Sequence, residues 1–340
     1  MKYYPRQAVW ETTLKCNMNC MHCGSRAGKA RENELTIEEC LNIAQQLIDM
    51  GLEQITLIGG EIFLKEDWDK ISRKFVDNGV KVNIITNGFN LNDEQFRQIK
   101  DSGICQVYFS VDGLEKTHNT IRRNPASFEH VLKAMKRLRE ENMPIGVVTT
   151  VTDLNIDELE DMYKLFLDNK VASWQIQIAS PMGNARDNKN LLISPNRMSY
   201  LTKFVRDKAQ ERKIYTVAGD CIGYYDENEY YIRGYEPEEE VKWMGCGAGK
   251  YVIGIDSVGN VKGCESLQDD SFIEGNLRKN TLKEIWNRKG AFAYNRDFTP
   301  DMLAGKCKGC DMGPICESGC RQMSYFTTDN KYENIYCNYR

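Results

Sequence analysis

From about residue 7 to 180 the chain alternates short apolar runs with longer amphipathic stretches. Ala8–Thr13 reads as a strand. Thr36–Met50 reads as a helix, with Thr36 able to cap it, Glu39 three residues on, and Gly51 to end it. Gln54–Ile58 reads as a buried strand, Asp67–Asn78 as a helix stopped by Gly79, and Lys81–Thr86 as a strand ending at Asn87-Gly88. The same alternation continues with a helix over Asp93–Ser102, a strand over Cys105–Val111, a helix over Ser127–Asn142 and a strand over Ile145–Val151. A helix over Ile156–Asn169 and a strand over Ser173–Ile178 complete it.

About six βα units with short connections imply a parallel sheet with helices outside it. Six are too few for a closed eight-stranded barrel of roughly 250 residues. The expected fold class is therefore α/β, a partial (β/α)6 TIM-like barrel over residues 1–180. In such sheets ligands gather at the carboxyl ends of the strands. The loops there carry three cysteines, Gly59-Gly60-Glu61, Asn87-Gly88 and Asp112-Gly113, so these should meet at one face.

Beyond residue 180 the pattern changes. Residues 181–245 read as a bridging region, with a helix over Arg197–Glu211 and an acidic, tyrosine-rich stretch from Tyr224 to Glu240. Tyrosines between Tyr224 and Tyr235 are candidates for substrate contact on composition. Residues 246–340 read as a cysteine-rich domain of short strands and helices. Tyr251–Ile255 and Asn260–Lys262 flank a hairpin turn, and Thr281–Arg288 is a short helix.

Composition narrows the class. Hydrophobic residues make up 41% and charged residues 28%, with a formal net charge of −4. That balance suits a soluble globular protein and argues against nucleic acid or an anionic membrane as partner. No apolar run reaches the roughly 18–20 residues of a membrane span, and the N-terminus has no apolar signal region. A cytoplasmic location is expected. Thirteen cysteines are then the anomaly. In a reducing compartment, clustered cysteines point to metal rather than to disulfides.

Cys16, Cys20 and Cys23 follow the first strand. Three thiolates can hold three irons of a cubane cluster and leave the fourth iron open. Zinc is the alternative, with His22 as an awkwardly placed fourth ligand. The run Cys16-Asn17-Met18-Asn19-Cys20-Met21-His22-Cys23 resembles the radical SAM superfamily. Gly59-Gly60-Glu61 looks like that family's segment for the amino group of S-adenosylmethionine, although Ile62 stands where proline is usual. Ser110-Val111-Asp112-Gly113 is similar to its fourth-strand segment. Arg122 resembles the arginine that pairs with the carboxylate of S-adenosylmethionine, a task suited to a bidentate guanidinium. Asn87 ends the third strand at the same face. The resemblance implies reductive cleavage of S-adenosylmethionine to a 5′-deoxyadenosyl radical, which abstracts hydrogen from a substrate.

The later cysteines resemble a SPASM extension with two auxiliary [4Fe–4S] clusters. That resemblance implies Cys246, Cys264 and Cys320 for the first, and Cys307, Cys310, Cys316 and Cys337 for the second. Cys221 has three readings: fourth ligand of the first auxiliary cluster, hydrogen-atom donor, or inert core cysteine. Glu265, beside Cys264, matches the position of a catalytic base in the anaerobic sulfatase-maturing branch; a solvated glutamate is the bland reading. Cys40 and Cys105 read as core residues.

Extensions of this kind imply oxidative modification of a peptide or protein side chain, by crosslinking or a related change to a ribosomal peptide. Expected partners are that substrate, a reductant such as flavodoxin or ferredoxin, and a separate leader-binding protein, since the cluster loop begins too early for a preceding leader-binding domain. A radical epimerase or dehydrogenase using Cys221 is the alternative. A zinc-binding scaffold is a third, of another class.

Overall fold

A computed structural model describes residues 3–223, 228–234 and 243–339. The strands are β1 (Gln7–Glu11), β2 (Gln54–Ile58), β3 (Lys81–Thr86), β4 (Gln106–Ser110), β5 (Ile145–Val151), β6 (Ser173–Ile178), β7 (Tyr215–Ala218), β8 (Val252–Ile255), β9 (Asn260–Lys262) and β10 (Gly275–Asn276). They form one sheet in the order β10-β9-β8-β1-β2-β3-β4-β5-β6-β7. Every pair from β8 through β1 to β7 is parallel, whereas β8, β9 and β10 pair antiparallel.

The helices joining the first six strands are α1 (Ile37–Asp49), α2 (Trp68–Val76), α3 (Asp93–Asp101), α4 (Glu115–Arg122), α5 (Ser127–Glu140) and α6 (Leu159–Asp168). The later ones are α7 (Met198–Glu211), α8 (Glu229–Ile232), α9 (Leu282–Asn287), α10 (Ala293–Arg296), α11 (Gly313–Cys316) and α12 (Arg321–Thr328). The Thr36–Glu39 capping box forms as expected, satisfying two orphan donors at the start of α1. Cys40, Ile43, Ala44 and Leu47 then recur at helical spacing and are buried against the sheet.

The partial barrel is present and the sheet is open, but its parallel part is longer than six strands. The bridging region supplies β7 and the cysteine-rich region supplies β8, which pairs with β1. β7 and β8 are not paired with each other, so the wall stays open between them. α4 carries no apolar periodicity in the sequence EKTHNTIR: it buries His118, Ile121 and Arg122. Cys40 is fully buried as expected; Cys105 is exposed, because it lies just before β4 begins. Most of the stretch from Tyr224 to Glu240 lies outside the described residues, apart from the single turn α8 and its flanks.

Alternation along β6 separates two environments. Trp174 points outward, edge-on to Phe166 and Phe204 of the helical layer. Gln175 and Gln177 point the other way, into the barrel interior.

Candidate active site

β1 delivers the chain into the loop of Cys16, Cys20 and Cys23. That loop is closed by Cys16 N–H donating to Gly28 O at 2.9 Å and held to α4 by Met21 N–H donating to Ile121 O at 2.8 Å. Gly59-Gly60 crosses directly over the entry to this loop. A Cβ on Gly60 would lie 2.5 Å from Lys15 O and 2.6 Å from Leu14 O, so only glycine permits the approach. Gly60 and Glu61 donate their N–H groups to Thr13 O and Lys15 O.

The three sulfur residues share one cavity of about 690 Å³ with Gly59, Gly60, Thr86, Asn87, Ser110 and Arg122. The expected gathering of strand-end loops is therefore what the chain builds. Glu61 behaves differently from the sequence expectation. Its carboxylate is turned from the cavity and buried, accepting from Thr86 Oγ1 at 2.8 Å, Asn87 N at 2.9 Å and Phe63 N at 3.3 Å. Burial pushes its pKa up despite these donors. Glu61 thus braces the ends of β2 and β3, and the cavity meets only the glycine backbone before it.

Asp112 is the electrostatic centre of the far wall and has no exposed surface. Its Oδ2 meets Arg122 Nη2 at 2.5 Å and His22 Nε2 at 2.8 Å, while Oδ1 accepts from Thr150 N–H at 2.9 Å. Burial alone would raise this carboxyl; the Arg122 and His22 charges outweigh it and hold the pKa well below the usual range. Asp112 N–H donates to His118 Nδ1 at 3.1 Å, which leaves His118 Nε2 to donate to Ser127 Oγ at 2.9 Å. Burial, with Arg122 nearby, lowers His118 to about 3, so the ring is neutral. Arg122 also donates Nη1 to Cys20 Sγ at 3.7 Å, and its buried Nε has no partner among the described residues. That orphaned donor beside three thiols and a glycine-backbone wall suits an anionic ligand with a cluster, as the sequence reading requires.

A larger chamber opens from this cavity through the barrel interior. Its lining includes Cys23 from the cysteine loop, Ser110, Thr150, Gln175, Gln177 and Ser180 from the strands and the turns after them, and Cys221, Cys246, Cys264 and Cys320. Burial raises Cys221 and Cys264 to about 11. Cys320 is raised well above its ordinary value by burial, then by the neighbouring charges of Cys246 and Cys221. Cys221 thus stands in the group with the three expected ligands of the first auxiliary cluster. Its Sγ also accepts from Ile178 N–H at 3.5 Å.

Glu265 is not solvated. It is buried, with Oε1 accepting from Lys262 Nζ at 3.0 Å and Gln268 Nε2 at 2.9 Å, and Oε2 has no partner among the described residues. Burial raises it to about 7, against the opposing charge of Lys262. It lies behind the chamber wall, of which its neighbours Cys264 and Ser266 form part.

Cys307, Cys310, Cys316 and Cys337 line a separate, small apolar pocket. Four thiols around one pocket fit the second auxiliary cluster. Among the described residues, no three His, Cys, Asp or Glu side chains converge closely enough to hold a single ion. A cubane spreads its thiolates wider than one tetrahedral zinc does, since each binds a different iron.

Thr150, Gln175, Gln177, Ser180 and the asparagines after β6 went unnoticed in the sequence. Only the two glutamines left a signal, polar residues alternating with Trp174, Ile176 and Ile178 on an otherwise buried strand.

Comparison with known proteins adds independent findings. Residues 10–166 match the Radical SAM superfamily model, and residues 246–311 match the SPASM iron–sulfur cluster-binding domain. The chain is 29% identical over 349 aligned positions to an AdoMet-dependent heme synthase of Methanosarcina barkeri, covering 99% of this chain and 97% of that protein. It is 26% identical to mycofactocin maturase MftC of Mycolicibacterium smegmatis, covering 94% and 79%. In structure it is similar to Streptococcus suis SuiB bound to S-adenosylmethionine, with a TM-score of 0.78 and 17% identity, over 98% of this chain and 76% of that one.

Proposed function

This chain is a radical SAM enzyme carrying a SPASM domain, and from that premise we propose that it oxidatively modifies a side chain of a peptide or protein. The two domains imply S-adenosylmethionine and [4Fe–4S] clusters. When bound, these supply a 5′-deoxyadenosyl radical and an acceptor for further electrons. Cys16, Cys20 and Cys23 would hold the initiating cluster, and Cys307, Cys310, Cys316 and Cys337 the second auxiliary one. Cys246, Cys264 and Cys320 would hold the first, with Cys221 as their fourth partner; the grouping of these four thiols supports that reading over a hydrogen-donor role.

The observation that carries the substrate reading is the chemistry of the chamber wall. Among its described lining residues, Arg122 is the only arginine or lysine, and it is committed to Asp112. His22 also lines it and is likewise engaged with Asp112; the remaining polar lining is mostly amide, hydroxyl and thiol, with Asp220 the acidic member. Gln177 Nε2 donates to Thr150 Oγ1 at 3.1 Å, and buried Ser180 Oγ has no partner among the described residues. Such a wall matches the amides of a peptide. A tetrapyrrole bearing carboxylates would need cations facing it. The relative named mycofactocin maturase and the structural likeness to SuiB bound to its precursor peptide SuiA support this reading. The relatives named heme synthase favour a tetrapyrrole as second reading.

Within this reading, the glutamine and threonine side chains orient a peptide amide towards the triplet cavity. The apolar inward residues Val9, Ile85 and Val148 exclude water. Glu265, next to Cys264 in the chain but held behind the chamber wall by Lys262, would serve as a proton acceptor only through a change that brings it to the chamber. A flavodoxin or ferredoxin would deliver the electron, and a separate leader-binding protein could present the peptide.

The test is anaerobic turnover of the reconstituted enzyme with S-adenosylmethionine in deuterated water, offered in parallel any short peptide encoded near its gene, a panel of synthetic peptides, and an iron porphyrin. Loss of two hydrogens by mass supports the proposal. One deuterium gained in an otherwise unchanged peptide, abolished by Cys221→Ala, shows an epimerase instead. An untouched peptide with conversion of an iron porphyrin overturns it.

A further inference from the structure

After β6 the chain turns back across the loop of Cys16, Cys20 and Cys23. Asn184 N–H donates to Cys23 O at 2.8 Å, and Asn184 Nδ2 donates to Cys20 O at 2.9 Å. Asn188 Nδ2 donates to Met21 O at 3.2 Å and to Asn184 O at 2.8 Å. Three carbonyls of the loop are therefore held by two asparagines that also brace each other. Gly183, with φ +53°, lets the segment approach: a Cβ there would lie 2.2 Å from both Cys23 O and Gly24 O. The same segment reaches the cysteine-rich region, because Gln322 Nε2 donates to Met182 Sδ at 3.4 Å. Gln322 lies two residues beyond Cys320.

We propose that Asn184 and Asn188 are positioning residues for the initiating cluster, forming a strap that sets the backbone from which its thiolates project. A cysteine sulfur stands only one rotatable bond from its Cα–Cβ axis, so backbone placement decides sulfur placement. Without the Asn184 side-chain amide, the Cys20 carbonyl would keep only the longer bond from Cys23 N–H at 3.3 Å, which holds the loop less firmly. Donors on the carbonyls of ligand residues also draw electron density from the site, which raises its reduction potential. The inference rests on the radical SAM assignment and not on the identity of the substrate.

The test compares Asn184→Ala, Asn184→Asp and Asn188→Ala with the wild type, each reconstituted anaerobically to about twelve irons, as three cubanes require. Iron release to a chelator is followed together with the electron paramagnetic resonance signal that responds to S-adenosylmethionine. Asn184→Ala should lose the responsive cluster at least threefold faster and lower its midpoint potential, leaving release of the other roughly eight irons unchanged. Asn184→Asp should be worse than alanine, because it places an acceptor against the Cys20 carbonyl. A space-filling role predicts the reverse order. The proposal is overturned if release and potential match the wild type, if aspartate restores both, or if all iron leaves together with a lower melting temperature of the metal-free chain.

Discussion

His118 makes a quantitative prediction. It is fully buried on α4, accepts from Asp112 N–H and donates to Ser127. Its pKa is lowered to about 3 by burial, against about 6.5 in an unfolded chain. The sign follows from proton binding. Between those values the unfolded imidazole binds a proton that the native one refuses, so native stability falls as pH falls below about 6.5. Integrated from pH 7.5 to pH 5, this amounts to about 2 kcal/mol. For a chain of 340 residues, that is about 3 °C in melting temperature, from an unfolding entropy of about 2.1 cal/mol/K per residue. His118→Asn keeps an acceptor where Nδ1 lies and loses the Ser127 bond and the edge contact with Phe128. It should cost about 1–3 kcal/mol at pH 7.5. The gap between the two proteins should then narrow by about 2 kcal/mol at pH 5, because the variant has no imidazole to leave unprotonated. Urea titrations of the metal-free proteins at both pH values measure the gap. A gap that stays constant within about 0.5 kcal/mol would show that His118 is not held neutral, and the account of Asp112 built on it would fail.

Two further perturbations probe the buried charges. Asp112→Asn leaves Arg122 uncompensated and should cost about 3–5 kcal/mol in urea titrations of the metal-free chain. Since Asp112 is held below its usual range, its carboxylate stays ionised until strong acid, and the part of the cost that comes from its charge should vanish only there; a cost already abolished at pH 5 would contradict the assignment. Glu265, raised to about 7, binds a proton in the native state that the unfolded chain has released above about 4.5. Glu265→Gln should therefore gain stability relative to the wild type as pH rises from 5 to 8; a relative loss over that range would show that attraction to Lys262 outweighs burial at this carboxylate.

Much of this molecule was legible in one dimension because its signals are local. β2, β3, β5 and β6 begin and end where hydrophobic pattern and turn residues place them, and the Thr36 capping box is a contact within four residues. Cysteine spacing belongs to the same class for the triplet and for Cys307, Cys310 and Cys316, which share cavities because short loops allow little else; Cys337 joins the latter only after α12 turns the chain back. Tertiary structure decided what depends on distant segments meeting. Helix α4 buries a histidine and an arginine, so no apolar period announces it; Asp112 makes it a core element. β8 joins β1 across some 240 residues, a pairing that no local pattern encodes. Glu61 and Glu265 show the limit most plainly. Each stands at a recognisable position in the sequence, but which way a carboxylate turns depends on donors supplied from elsewhere. Thr86 and Asn87 draw Glu61 into the sheet, and Lys262 and Gln268 hold Glu265 behind the chamber wall. The strap of Asn184 and Asn188 is of the same kind. Its donors are ordinary loop asparagines until the fold brings them over the carbonyls of Cys20, Met21 and Cys23, more than 160 residues earlier in the chain.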